Sequence, residues 1–142
     1  MIASFSGEYR FLSNFWKAPV EYEGILYPSS EHAYQAAKTL NKDLRGAFAE
    51  ITSPAEVKRL GQTIALRPDW DDVKINVMRD IVTAKFEQNP DLMKMLMATK
   101  GHDLIEGNTW GDTFWGECPI GKGRNELGKI LMSIRDDITR IE

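Results

Sequence analysis

Early in the chain, apolar and other residues alternate. Val20 and Tyr22, then Ile25 and Tyr27, occupy every second position on either side of Glu23-Gly24. That period predicts a short hairpin, whose two strands need other elements to cover them. Pro28 closes the second strand, and from there the period becomes helical. Ser29 or Ser30 can cap a helix reaching Leu40, with Glu31 in its first turn, where unpaired amides and the macrodipole favour a carboxylate. A second helical stretch follows from Asp43. A third begins at Ser53-Pro54, a capping serine with proline at the first helical position, and stops at Gly61. Val73, Val77, Ile81 and Ala84 recur at helical spacing and predict the longest helix, from Asp69 to Gln88, ended by Asn89-Pro90. Asp91 then caps a shorter Met-rich helix with Leu92, Met95 and Leu96 on its buried side. After Gly101 the apolar patch Leu104-Ile105 reads as one strand. A final amphipathic helix carries Leu127, Ile130, Leu131, Ile134 and Ile138. The predicted fold is α+β, predominantly helical, with a small β element near the N-terminus.

Composition narrows this picture without specialising it. A chain of 142 residues, 42% of them hydrophobic, can bury the core of one domain, 1–142, and no repeat or linker divides it. The net charge of -3 excludes a broad basic face, so any nucleic acid is gripped locally. The single cysteine, Cys118, excludes an internal disulfide framework. Followed by Pro119 and far in sequence from both histidines, it reads as a loop residue and not a nucleophile. The first residues lack the apolar run of a signal peptide or membrane anchor, and the expectation is a cytoplasmic protein without a membrane partner.

The candidate chemistry concentrates in three places. Thr109-Trp110-Gly111-Asp112-Thr113-Phe114-Trp115-Gly116 runs into Gly121-Lys122-Gly123-Arg124-Asn125, just ahead of the last helix. Trp110 and Trp115 offer stacking surfaces, Asp112 an acid/base group, and the glycines at 116, 121 and 123 let backbone approach a ligand. Lys122 adds charge at a helix start, so the 121–123 turn reads as an anion cradle, although it lacks the spacing of a triphosphate loop. Second, at about 100° per residue, Glu31, Tyr34, Gln35 and Lys38 share one side of the first helix. Ala33, Ala36, Ala37 and Leu40 lie opposite, where the alanines permit close packing and leave the Glu31 side facing a cleft. His32 points elsewhere and reads as a hydrogen-bonded structural residue. With no metal-ligand spacing present, no metal and no cofactor are expected. Third, in the aromatic segment 9–16, Arg10 can pair with phosphate and Asn14 can read a base edge or sugar hydroxyl. Trp70, at the start of the long helix, is a packing anchor or a stacking surface. These groups suit a flat ring joined to a phosphate. They also leave open a non-catalytic module that binds a nucleotide, or a structural interaction domain with Trp110 and Trp115 as anchors.

Several of these segments together carry a resemblance. Phe11-Leu12-Ser13-Asn14-Phe15, Tyr27 to Lys38, Arg67-Pro68-Asp69-Trp70 with Lys74, Lys85-Phe86, Asp112 to Gly116 and Gly121 to Asn125 with Leu127-Gly128 resemble the NADAR superfamily, which includes YbiA-like proteins. Ser29 stands where many members have threonine. The resemblance implies a compact NADAR domain acting as an N-glycosidase on a ribosyl C1 to nitrogen bond. The implied substrate is either a phosphorylated ribosylamino-pyrimidine of riboflavin biosynthesis or ADP-ribose on the amino group of guanine in nucleic acid. It links Glu31, Trp70 and Asp112 to activity. On this basis Glu31 is the acid/base or water-activating group, Asp112 orients the ribose or assists proton transfer, and Lys38 is the candidate for a Schiff-base route.

Overall fold

The computed structural model describes the backbone of residues 1–141 and the side chains of residues 1–137. The expected apolar position Ile138 has its side chain outside the described residues. The chain is α+β and predominantly helical, and it divides into two compact units, 14–89 and 1–13 with 90–142.

In the unit 14–89, β1 (Val20–Tyr22) and β2 (Ile25–Tyr27) form the expected antiparallel hairpin, with Val20 opposite Tyr27 and Tyr22 opposite Ile25. Four helices follow: α1 (Ser30–Ala36), α2 (Lys42–Ala49), α3 (Pro54–Gly61) and α4 (Trp70–Gln88). The hairpin is too small to stand alone. One face lies against α4, and the Gln88 side chain brackets its edge, accepting from the Glu21 amide (2.7 Å) and donating to the Glu21 carbonyl (3.0 Å). The edge groups at Glu21 thus find a partner without a third strand. Val77, Met78, Ile81, Val82 and Phe86 of α4 are buried, each apolar side chain contributing roughly 1.5–3 kcal/mol.

Helix α1 is the innermost element of this unit, with every residue buried. Of the two candidate caps, Ser29 does the work: extended backbone brings its hydroxyl to accept from the His32 amide (3.2 Å). Ser30 opens the helix and donates to Asn14 Oδ1 (2.9 Å). The helix is shorter than the sequence pattern suggests. It ends at Ala36 because the next residues turn their backbone groups to other segments: the Lys38 carbonyl accepts from the Arg67 amide (2.8 Å) and the Thr39 carbonyl from Arg45 Nε (2.8 Å). Leu40, expected on the packed face, is 61% exposed as a result.

The other unit contains a 3-10 helix (Gly7–Leu12), α5 (Pro90–Met97) and α6 (Glu126–Ile141). Pro90 occupies the first turn of α5, where a missing N–H costs nothing. Asp91 therefore lies inside the helix and is not its cap. Leu96 is buried as expected, but Met95 is 41% exposed. The patch at Leu104-Ile105 makes a single parallel bridge to Ile2 and not a strand of its own. Buried Arg135 reaches from α6 to the carbonyls of Thr99 (3.0 Å) and His102 (2.8 Å), satisfying acceptors in the turn that follows α5.

Candidate functional site

The unit 14–89 brings together Asn14, Glu31, Gln35, Lys38 and Trp70 of the expected site. Helix α1 is held at its N-terminus by Asn14, whose carbonyl accepts from the Glu31 amide (3.1 Å) while its side chain accepts from Ser30 and directs Nδ2 at the Met78 sulfur (3.4 Å). Asn14 is buried, and its contacts make it a brace for the helix start. Glu31 is also buried, and one carboxylate oxygen accepts from Gln35 Nε2 at 2.6 Å, one helical turn on. The other end of that amide, Gln35 Oε1, is buried with no hydrogen-bond partner among the described residues. It is pressed against α3 at Gly61, where a Cβ would lie 1.8 Å from it. An orphaned buried acceptor costs about 1–3 kcal/mol. Here that cost accompanies a glutamine amide clamped between a carboxylate and a backbone.

Tyr34, on the same face of α1, links this carboxylate's helix to an aromatic and a cationic neighbour. The rings of Tyr34 and Trp70 meet at 5.3 Å, tilted by 53°, and both are nearly fully buried. The Trp70 position is set by the turn before α4, where Arg67 forks onto Asp69 (2.6 and 3.0 Å). Lys38 Nζ lies 5.7 Å from the Tyr34 ring centroid. Burial pushes the Lys38 amine below its ordinary pKa. Glu31 opposes that shift, and the charges of Lys58 and Lys74 add to it. His32 faces away, as expected. Nε2 donates to the Ile51 carbonyl (2.7 Å), which leaves Nδ1 to accept from the Ser29 hydroxyl (2.7 Å). Burial holds its pKa below the ordinary value, so the ring is a neutral link between α1 and the chain after α2.

The other unit holds Arg10, Trp110, Asp112, Trp115, Gly116, Gly121, Lys122, Gly123 and Asn125. Asp112 Oδ1 accepts from the amides of Phe114 (3.0 Å) and Trp115 (2.9 Å), and Asn108 pins the Asp112 backbone from both sides. The carboxylate thus shapes its own loop with one oxygen. Phe114 packs edge-on against Trp115 at 4.7 Å and carries the Arg124 guanidinium over its face at 4.5 Å, while Trp110 is 62% exposed. Arg10 is exposed and donates from Nε to the Gly7 carbonyl (3.2 Å).

The structure changes the reading of the 121–123 turn as an anion cradle. The Gly121 amide already donates to Glu117 Oε1 (2.6 Å), and the Lys122 amide donates to the Pro119 carbonyl (2.9 Å). The glycines have local reasons: Gly121 has φ +95°, and a Cβ on Gly123 would lie 2.3 Å from the Gly116 carbonyl oxygen. Asn125, expected to contact substrate, is buried with both side-chain groups engaged, accepting from the Glu106 amide (2.9 Å) and donating to the Leu104 carbonyl (2.9 Å). It fastens the start of α6.

A NADAR domain family model matches residues 4–139, running through both units. The chain belongs to the NADAR family. It is 39% identical over 137 residues to a protein named N-glycosidase YbiA from Escherichia coli (strain K12), covering 95% of this chain and 85% of that one. It is 36% identical over 139 residues to N-glycosidase Npun_R5314 of Nostoc punctiforme, covering 94% and 88%. A match to Riboflavin biosynthesis protein VVA0006 of Vibrio vulnificus, at 40% identity, covers 90% of this chain but 35% of that longer protein. Among solved structures, the NMR structure of E. coli YbiA is similar with a TM-score of 0.86 and 37% identity, over 98% of this chain and 83% of that one.

Within this NADAR chain, reasoning from sequence overlooked Gly61 and Lys58. Gly61 looks like a helix stop, yet it is the last residue of α3 and is there for space. Lys58 sits in the last turn of α3, where a lysine is ordinarily explained by the helix dipole, so no local signal separated it from scaffold.

Proposed function

We propose that this chain is a hydrolase of N-glycosyl bonds, cleaving between a ribosyl C1 and nitrogen. The observation that carries the reading is the buried Glu31 carboxylate, held by Gln35 beside the Tyr34-Trp70 aromatic pair and the Lys38 amine. The names of its relatives, N-glycosidase and riboflavin biosynthesis protein, point the same way. As nitrogen departs, positive charge develops at C1. Glu31 stabilises that charge or takes a proton from the attacking water, while an acid protonates the leaving nitrogen. Asp112 is assigned the orientation of the ribose or help in the proton transfer. The substrate classes are ADP-ribose on guanine and a phosphorylated ribosylamino-pyrimidine.

The test is product release, followed by mass spectrometry, from ADP-ribosylated guanine in DNA and from the ribosylamino-pyrimidine phosphate. Glu31→Gln is expected to lower turnover by on the order of 10²–10⁴, with binding retained. Asp112→Asn keeps an oxygen for the Phe114 and Trp115 amides and so removes charge without releasing the loop; turnover is expected to fall while the melting temperature holds. Binding without release by the wild type would instead make the chain a ligand-reading module. Normal turnover by a folded Glu31→Gln protein would end the assignment of Glu31.

The lowered pKa of Lys38 favours a second route. An N-ribosylamine opens to an imine at C1. The neutral Lys38 amine adds to C1, the base departs with its amino group, and water hydrolyses the resulting lysine imine to free the sugar aldehyde. Borohydride added during turnover should then leave a reduced sugar adduct on the peptide bearing Lys38. A clean spectrum assigns the reaction to direct hydrolysis.

A further inference from the structure

The N-glycosidase reading requires a place for the substrate's phosphate, and the 121–123 turn has its Gly121 and Lys122 amides engaged. Three lysines lie instead on or next to elements of one packed group: Lys38 just after α1, and Lys58 and Lys74 on α3 and α4, which both pack on α1. Lys38 follows α1 directly and overlies Tyr34. Lys58 lies one turn before Gly61 on the face of α3 that presses on Gln35, and its Nζ is 5.9 Å from the ring centroid of Phe15, the residue after the Asn14 brace. Lys74 lies one turn after Trp70 on α4, whose ring meets Tyr34. It also lies 3.6 Å from Asp71, a side chain 91% exposed and hence a weak counter-charge.

The three amines are near enough that the charges of Lys58 and Lys74 both depress the pKa of Lys38. In a chain of net charge -3, three half-buried ammonium groups whose charges reach one another make a locally cationic patch, the kind of field that draws a phosphate. We propose that Lys58 and Lys74 grip the phosphate of the ribosyl substrate, leaving Lys38 and Glu31 beside the sugar. The inference rests on the N-glycosidase reading for its ligand, but its test does not depend on turnover. The shared chemistry is a ribose bearing a 5′-phosphate.

The experiment is calorimetric titration of the intact protein with ribose 5-phosphate and, separately, with ADP-ribose. Lys58→Gln and Lys74→Gln, singly and together, keep much of each stem while removing charge. Each single variant is expected to weaken ribose 5-phosphate binding at least about tenfold, as for hydrogen bonds to a charged group, with Lys94→Gln on α5 as the unchanged control. In kinetics the effect should fall on KM, with kcat within about threefold. Tighter binding of ADP-ribose with the same lysine dependence would place its second phosphate there as well. Undiminished binding in a folded double variant, loss confined to Lys122→Gln, or no binding of either ligand by the wild type overturns the proposal. Lysine-dependent binding in a protein that releases no product would instead uphold the phosphate site and reject the hydrolase.

Discussion

Among the described residues the Gln35 side chain makes one hydrogen bond where a glutamine amide has capacity for several, and the reason lies in two neighbours. Its Nε2 is committed to Glu31, and its Oε1 rests where Gly61 has no side chain. Gln35 is thus a positioning residue for the carboxylate, and Gly61 supplies the space. An alanine at 61 would be favoured in a helix by about 1 kcal/mol, but its Cβ would displace the amide. Gly61→Ala is therefore expected to lower turnover by on the order of 10²-fold, the cost of misplacing a reacting group by about 1 Å, while thermal melting moves by only a few degrees. Unchanged turnover would show that Gln35 does not set the Glu31 geometry. None of this was legible in the chain: glycine at 61 has the same sequence signature as a helix stop.

Helix α1 shows why pattern alone gave its face but not its length. The shared face of Glu31, Tyr34 and Gln35 follows from 3.6 residues per turn, and Lys38, beyond the helix end, still lies over the Tyr34 ring. The helix end depended on Arg67, from further along the chain, and Arg45, on the adjacent α2, capturing the Lys38 and Thr39 carbonyls. The His32 link makes the seating of this helix sensitive to pH. Because burial lowers the folded-state pKa below 6.5, the unfolded chain binds the proton first as pH falls. Its contribution to stability is complete above about 6.5 and declines as pH drops toward the lowered value, with a slope approaching about 1.4 kcal/mol per pH unit. Urea denaturation between pH 5 and 7.5 should show that decline in the wild type and a flatter profile in His32→Gln. Parallel profiles would assign the pH dependence to other groups.

The net charge of -3 and the grouping of three lysines make different predictions for long and short substrates. If two or three phosphates are gripped locally, KM for an ADP-ribosylated single strand should rise only about tenfold between 50 and 200 mM salt. A rise near 10³-fold would require an extended basic track. Among the described residues no helix is long and apolar enough to cross a membrane.

By itself the sequence determined the helical bias, the hairpin, most helix starts and the face of α1 that carries Glu31, because each depends on residues within a few turns of one another. It also marked the Trp/Gly loop, whose Asp112 bonds to near neighbours. Tertiary structure decided which of the marked groups have hydrogen-bonding capacity left. The Asn125 side chain is consumed by Leu104 and Glu106, well back along the chain, while Lys58, unremarkable on its own helix, is brought within electrostatic reach of Lys38. Hydrogen-bond satisfaction and charge proximity are settled between segments far apart in the chain, where no spacing rule reaches.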